Sequence, residues 1–156
     1  MDASRPAGIG QADLEVTGNL PPPYGGGCAC GAVRYRITAP TLGARACHCR
    51  ICQKVMAAPY LAQAQFPKDS VSWTGTTTVW QSSPRLKRHF CPVCGTHLFL
   101  EPQDAPRIGV PLATLDAPEA IRPEIHYWTA SRLSWAGVPE DVPCFAEGPP
   151  APYRTA

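Results

Sequence analysis

Leu86-Lys-Arg-His-Phe-Cys-Pro-Val-Cys-Gly-Thr-His-Leu-Phe-Leu100 decides how this chain folds. Two β-prone pieces, Leu86 to Phe90 and His97 to Leu100, flank Cys91-Pro-Val-Cys94-Gly95. They read as the two strands of one hairpin closed by a metal knuckle. A C-x-x-C turn aims both sulfurs at one ion, and the following Gly tolerates the positive φ that turns backbone N–H groups toward the thiolates.

Working outward, the period stays at two. Val33, Tyr35 and Ile37 alternate with Arg34, Arg36 and Thr38, as in a half-buried strand. Residues 57–66 read as another strand, with Tyr60, Ala62, Ala64 and Phe66 on one side. The run 71–81, VSWTGTTTVWQ, reads as a hairpin about Gly75, and Ile108–Val110 and Ile125–Trp128 are further short strands. The 19 prolines exclude long helices and leave room for one or two turns only near 50–57 and 114–121. The fold is therefore expected to be mainly β. Residues 1–23, which end in three prolines, and 146–156 read as Pro-rich tails, and 24–145 is the body.

The chain has 156 residues, 44% of them hydrophobic and 17% charged, which excludes a disordered, highly charged chain. No apolar run reaches the roughly 20 residues of a membrane-spanning helix, so no membrane partner is expected. The start, MDASRPAGIG, lacks a secretory pattern, and a reducing cytoplasm is the expected compartment. The net charge of +2, without a long basic run, makes nucleic acid a weak candidate partner.

There are 8 cysteines. Seven fall into three clusters: Cys28-Ala-Cys30, Cys47-His-Cys49-Arg-Ile-Cys52 and Cys91-Pro-Val-Cys94. In a reducing compartment such clusters point to metal, and the alternatives are disulfides or buried thiols. Two flanking pairs make a closed site of four sulfurs (Cys28, Cys30, Cys91, Cys94), the arrangement of structural zinc. The middle three (Cys47, Cys49, Cys52) can share one ion and leave a position open, the arrangement of catalytic zinc. The spacing permits other partitions as well. Seven thiolates on two divalent ions would move the formal charge from +2 to about −1. Arg45, Arg50 and Lys54 flank the middle cluster and would offset its charge.

The segments GGCACGAVRYRI (26–37), CHCRICQK (47–54), RHFCPVCGTHLF (88–99) and TLDAPEAIRPEIHYWTASRLSW (114–135) together resemble the glutathione-dependent formaldehyde-activating enzyme family, which includes centromere protein V. The resemblance runs from about Gly26 to Phe145. It implies a β-tent of small sheets pinned by zinc. It also implies the same ligand split, with Cys28, Cys30, Cys91 and Cys94 structural and Cys47, Cys49 and Cys52 catalytic. The implied activity is a carbon–sulfur lyase that joins glutathione and formaldehyde to S-hydroxymethylglutathione. Two zinc ions per chain and a small thiol, glutathione among the candidates, are the expected cofactor and partner. No glutathione-binding residue and no oligomeric state is legible.

His48 is expected to point away from the metal, His97 to be structural, His126 to belong to the core or a pocket wall, and Trp128 and Trp135 to belong to the core rather than to a substrate-stacking surface. Cys144 stands outside the seven, as a free thiol or as a fourth ligand that would close the middle site. The competing readings are a non-catalytic zinc-stabilised β module that binds a macromolecule, and a redox or metal-buffering protein resting on C-x-C-x-x-C.

Overall fold

The alternation of period two becomes strands in the computed structural model, which describes residues 20–149. In chain order they are β1 (Tyr24–Gly27), β2 (Arg34–Ile37), β3 (Gly43–Cys47), β4 (Leu61–Pro67), β5 (Val71–Thr74), β6 (Thr78–Ser83), β7 (Leu86–Phe90), β8 (His97–Pro102), β9 (Arg107–Pro111), β10 (Ile125–Tyr127) and β11 (Cys144–Phe145). The α-helix among the described residues is α1 (Arg50–Met56), directly after β3. A three-stranded sheet runs β1-β2-β5, and an eight-stranded sheet runs β11-β10-β3-β4-β9-β8-β7-β6. Pairing is antiparallel except where β10 lies parallel to β3 and to β11. The fold is mainly β.

The main core fills the space between the two sheets. Tyr24, Val33, Tyr35, Ile37 and Val71 come from the smaller sheet and its approach; Ala44, Ala64, Phe66, Phe99, Ile108 and Val110 come from one face of the larger. Phe66 and Phe99 are completely buried, and each such side chain contributes about 1.5–3 kcal/mol by leaving water. The opposite face of the larger sheet carries a second, smaller cluster. It is built from Cys47, Cys52, Leu61 and Leu100, with Met56, Leu86 and Tyr127 packed against it. Strand alternation thus divides β3 and β4: Ala44, Ala64 and Phe66 face the core, whereas Arg45, Cys47, Gln63 and Gln65 face the other way.

Hairpin β7–β8 forms as read from the sequence, with Arg88 opposite Leu100 and His89 opposite Phe99. The hairpin expected over 71–81 does not. Its halves go to different sheets: β5 pairs with β2 (Ile37 opposite Val71), and β6 pairs with β7 (Val79 opposite His89). Gly75, at φ +84°, is where they part, and it lies so close to Ala32 that a Cβ would meet the Ala32 carbonyl oxygen at 2.1 Å. The edges of β2 and β7 each offer a ladder within a larger sheet, which an isolated two-stranded ribbon lacks, and on β5 the pairing also buries Val71. The expected helix near 114–121 is replaced by 3-10 turns at Leu112–Thr114 and Pro118–Ala120, because Pro118 has no N–H to donate. The expected turns at 50–57 form α1.

Most of the two stretches read as tails lies outside the described residues. Of the described part, Leu20 N–H donates to the Ala120 carbonyl at 2.8 Å, and the Tyr24 hydroxyl donates to the Leu20 carbonyl at 2.7 Å. At the other end, Trp128 N–H donates to the Glu147 carbonyl and Ala130 N–H to that of Ala146, which draws 146–149 alongside β10.

Candidate metal centre and cleft

Cys28, Cys30, Cys91 and Cys94 come together from two turns. Ahead of β2, Cys28 N–H bonds the Val33 carbonyl at 3.0 Å, and Gly31 turns at φ +79°. Between β7 and β8, Gly95 at φ +74° sends its N–H to the Cys91 carbonyl at 2.9 Å, and Cys91 N–H reaches Thr96 O at 2.9 Å. Thr96 ties the turns together, since its hydroxyl oxygen accepts from Ala29 N–H at 3.1 Å and lies 3.2 Å from Cys94 Sγ. The four sulfurs lie within 4.8 Å of one another. Hydrogen bonding to Thr96 holds Cys94 well below the ordinary thiol range, at about 5.

Cys47, Cys49 and Cys52 also converge, again within 4.8 Å. Cys47 ends β3. Cys49 caps α1, its sulfur accepting from Cys52 N–H at 3.5 Å. Gln53 holds this turn from below: its side-chain amide donates to the carbonyls of His48 at 2.8 Å and Ser131 at 2.9 Å. Hydrogen bonds from Cys47 and Cys52 pull Cys49 down to about 2, while the same contacts and burial push Cys47 up. Burial raises Tyr127, which lies against Cys47, well above its ordinary range.

The three sulfurs form one wall of a cleft of about 370 Å³. Its floor is the outer face of the large sheet. Cross-strand register lays out one row, Arg88 (β7), Leu100 (β8), Gly109 (β9) and Gln65 (β4). Arg45 and Gln63 pair in the next row, and Arg107 lies two residues from Gly109 on the same face. Arg88 is 3% exposed; its Nε donates to Ser82 Oγ at 3.2 Å and its Nη2 to Cys52 Sγ at 3.5 Å. Arg45 Nη2 donates to Gln65 Oε1 at 3.3 Å.

The donors suit a divalent ion of borderline softness in both clusters, four sulfurs in one and three in the other. Cys144 is not part of the second set: it is exposed on β11, its sulfur near the Val142 carbonyl. His48 is buried, with Nε2 2.9 Å from His126 Nδ1 and its ring against Tyr60. His97 is buried beside Met56, and burial pushes it down to about 4. His126 is buried as expected.

Both tryptophans depart from the expected core placement, Trp128 at 40% and Trp135 at 73% exposure. Trp128 stands at φ +57°, which turns its side chain out of β10 to the cleft rim. Trp135 lies in a shallow second groove with Arg50 and Lys54. Of the three cations noted beside the cysteines, only Arg45 lines the cleft. Arg88, Arg107, Gln63 and Gln65 were not legible as site residues. Only strand register carries them there, and the faint signal was polar residues at inward positions of β-rich runs.

Among the described residues, no helix is long and apolar enough to cross a membrane. A Halomonas elongata protein provisionally named a glutathione-dependent formaldehyde-activating enzyme is 28% identical over 138 residues, spanning 80% of this chain and 87% of its own length. A Rhodobacter sphaeroides protein of known crystal structure is 25% identical, covering 64% of this chain and 91% of its own with a TM-score of 0.48. Residues 23–131 match the family described as glutathione-dependent formaldehyde-activating enzyme. With its cysteine clusters assembled inside that stretch, the chain belongs to this family.

Proposed function

We propose that the protein is a zinc-dependent enzyme of the carbon–sulfur lyase type, making or breaking a thiol–aldehyde adduct such as S-hydroxymethylglutathione. Cys28, Cys30, Cys91 and Cys94 would hold a zinc that pins the fold, and Cys47, Cys49 and Cys52 a second that serves the reaction. The carrying observation is the unequal ligand count: four sulfurs converge at one knuckle, and three at the wall of the 370 Å³ cleft. Four sulfurs complete a tetrahedral shell, whereas three leave a position free. Zinc bound by the three would hold a substrate thiol as its thiolate.

The chain's own residues supply the surroundings. Leu61, Leu86 and Leu100 keep water from one side of the cysteines, and Arg88 offsets negative charge on Cys52. Gln53 fixes the turn that spaces the three sulfurs. In the forward direction the thiol sulfur uses a lone pair to form the C–S bond to the aldehyde carbon. The C=O π pair moves to oxygen, which takes up a proton equivalent to the one lost by the thiol. Cleavage is the reverse. The chain's unpaired cysteines suit a reducing compartment, and the cytoplasm is the location proposed.

Metal analysis of the purified full chain, followed by calorimetric titration with glutathione, tests this reading. Two zinc ions per chain and binding at millimolar glutathione are expected. Cys49→Ala should lose one zinc and stay folded, whereas Cys94→Ala should lose cooperative folding. One zinc per chain, equal effects of the two substitutions, or no glutathione binding would favour a non-catalytic zinc-stabilised module.

A further inference from the structure

We propose that Trp128 and Ile51 form an apolar platform at the mouth of the cleft that selects the aldehyde partner, favouring aldehydes with an aromatic or bulky apolar substituent over formaldehyde. This rests on the thiol–aldehyde reading above and names the class of its second substrate.

Trp128 carries most of the weight. In a continuing strand, neighbours point to opposite faces, so Tyr127 facing the cleft would send residue 128 to the other side. Both nevertheless line the cleft. Trp128 reaches it by standing at φ +57° and ψ +34°, a left-handed conformation that a bulky residue rarely adopts and that costs free energy. Hydrogen bonds hold it there. Its N–H donates to the Glu147 carbonyl at 2.9 Å, and its carbonyl accepts from Ser131 N–H at 3.0 Å. The next residue, Thr129, is tied down as well, its hydroxyl donating to the Phe145 carbonyl at 3.0 Å. A glycine would take this turn without strain. The chain instead keeps an indole here and leaves it 40% exposed. Strain held in place beside a cleft points to a function for the ring.

Ile51 adds a second apolar surface. It lies between Cys49 and Cys52 on α1, lines the same cleft and is 49% exposed. The cleft therefore has two characters. Its floor offers amides and a guanidinium (Gln63, Gln65, Arg88), suited to the peptide body of a polar thiol, whereas its mouth offers Ile51 and the indole of Trp128. In the adduct, the carbon that joins the sulfur carries the aldehyde's own substituent. With the sulfur at the cysteine wall and the polar body over the floor, that substituent is the part left for the mouth. Formaldehyde brings only hydrogens there and would leave both side chains in water. A ring or a branched apolar chain would cover them, gaining from apolar burial and from stacking on the indole.

The test uses S-methylglutathione and S-benzylglutathione, stable mimics of the formaldehyde and benzaldehyde adducts that lack the adduct hydroxyl and differ only in that substituent. Each is titrated calorimetrically into the zinc-loaded full chain, with glutathione as the reference. The benzyl compound should bind about tenfold tighter than the methyl compound, a difference of about 1.4 kcal/mol. Trp128→Gly, which suits the positive φ, and Ile51→Ala, which suits the helix, should each shrink that ratio to about threefold or less. Trp128→Phe, which keeps a ring, should retain more of it than Trp128→Gly. A substitution that merely loosened the cleft would weaken both ligands and leave the ratio alone. The wild-type ratio decides the matter if a variant fails to fold. Equal binding of the two mimics by a wild-type chain that binds glutathione, or an unchanged ratio in both Trp128→Gly and Ile51→Ala, would overturn the platform and leave the thiol reading standing. Failure of glutathione to bind would overturn the thiol reading, and the platform with it.

Discussion

Gln53 is one residue past the last of three clustered cysteines, and nothing in its position draws the eye. Folded, it is 4% exposed, and its single amide joins the His48 carbonyl, inside the cysteine turn, to the Ser131 carbonyl, 78 residues away. Replacing it by Leu leaves the buried His48 carbonyl unpaired, at a cost of about 1–3 kcal/mol, and frees the part-buried Ser131 carbonyl. Gln53→Leu is therefore expected to lower stability in urea unfolding and to weaken zinc retention at the three-cysteine site in a chelator competition. Unchanged retention would show that the turn holds its shape without this bond. Gly95 makes the opposite point, since its role could be read directly: C-x-x-C-G calls for positive φ, and the residue stands at +74°.

At the scale of the element, β7 serves two masters by alternation. Arg88 faces the cleft, and its neighbour His89 faces the other way, where its Nδ1 lies 3.1 Å from Thr77 Oγ1 and its Nε2 2.8 Å from Glu101 Oε2. Lys68 pairs with the other oxygen of Glu101. Burial pushes the Glu101 carboxyl up, but the bonds from Lys68 and His89 outweigh it and the net shift is downward. A carboxyl lowered on folding contributes stability above its unfolded pKa of about 4.3 and loses it as pH falls through the folded value. Glu101→Gln is thus expected to lower the Tm at pH 7, by an amount worth about 1 kcal/mol or less because Lys68 is half-exposed. The gap to wild type should narrow as pH falls below that unfolded value and close once the carboxyl is protonated in the folded chain too. A gap that persists there would assign the effect to packing instead. The β7–β8 hairpin was legible because local pattern and knuckle agree. The supposed 71–81 hairpin misled because its halves find better partners elsewhere, which no local pattern reveals.

For the whole molecule, the four-sulfur site joins the turn before β2 to the β7–β8 turn, 61 residues apart between Cys30 and Cys91. It therefore ties the small sheet to the large one. Structural zinc can contribute on the order of 10 kcal/mol in small domains. Stripping metal with a strong chelator at neutral pH is expected to abolish the cooperative thermal transition seen by circular dichroism, and added zinc should restore it. An unchanged transition would mean that the core between the sheets suffices alone.

By itself the sequence determined the strand-rich character, the C-x-x-C-G knuckle, the three cysteine clusters and the resemblance to the family, whereas their division into sets of four and three came from the fold. The former are written in local spacing: period two, C-x-C, C-x-x-C-G, and turns only glycine allows. The tertiary structure alone decided which polar side chains share the cleft. Arg45, Arg88 and Arg107 stand on three strands, brought to one face by pairings between residues far apart in the chain. It also decided that Cys144 lies away from the three cysteines and that Trp128 turns outward to the rim. The physical reason is that register across a sheet depends on which edges pair, and edge choice is settled by burial over the whole fold.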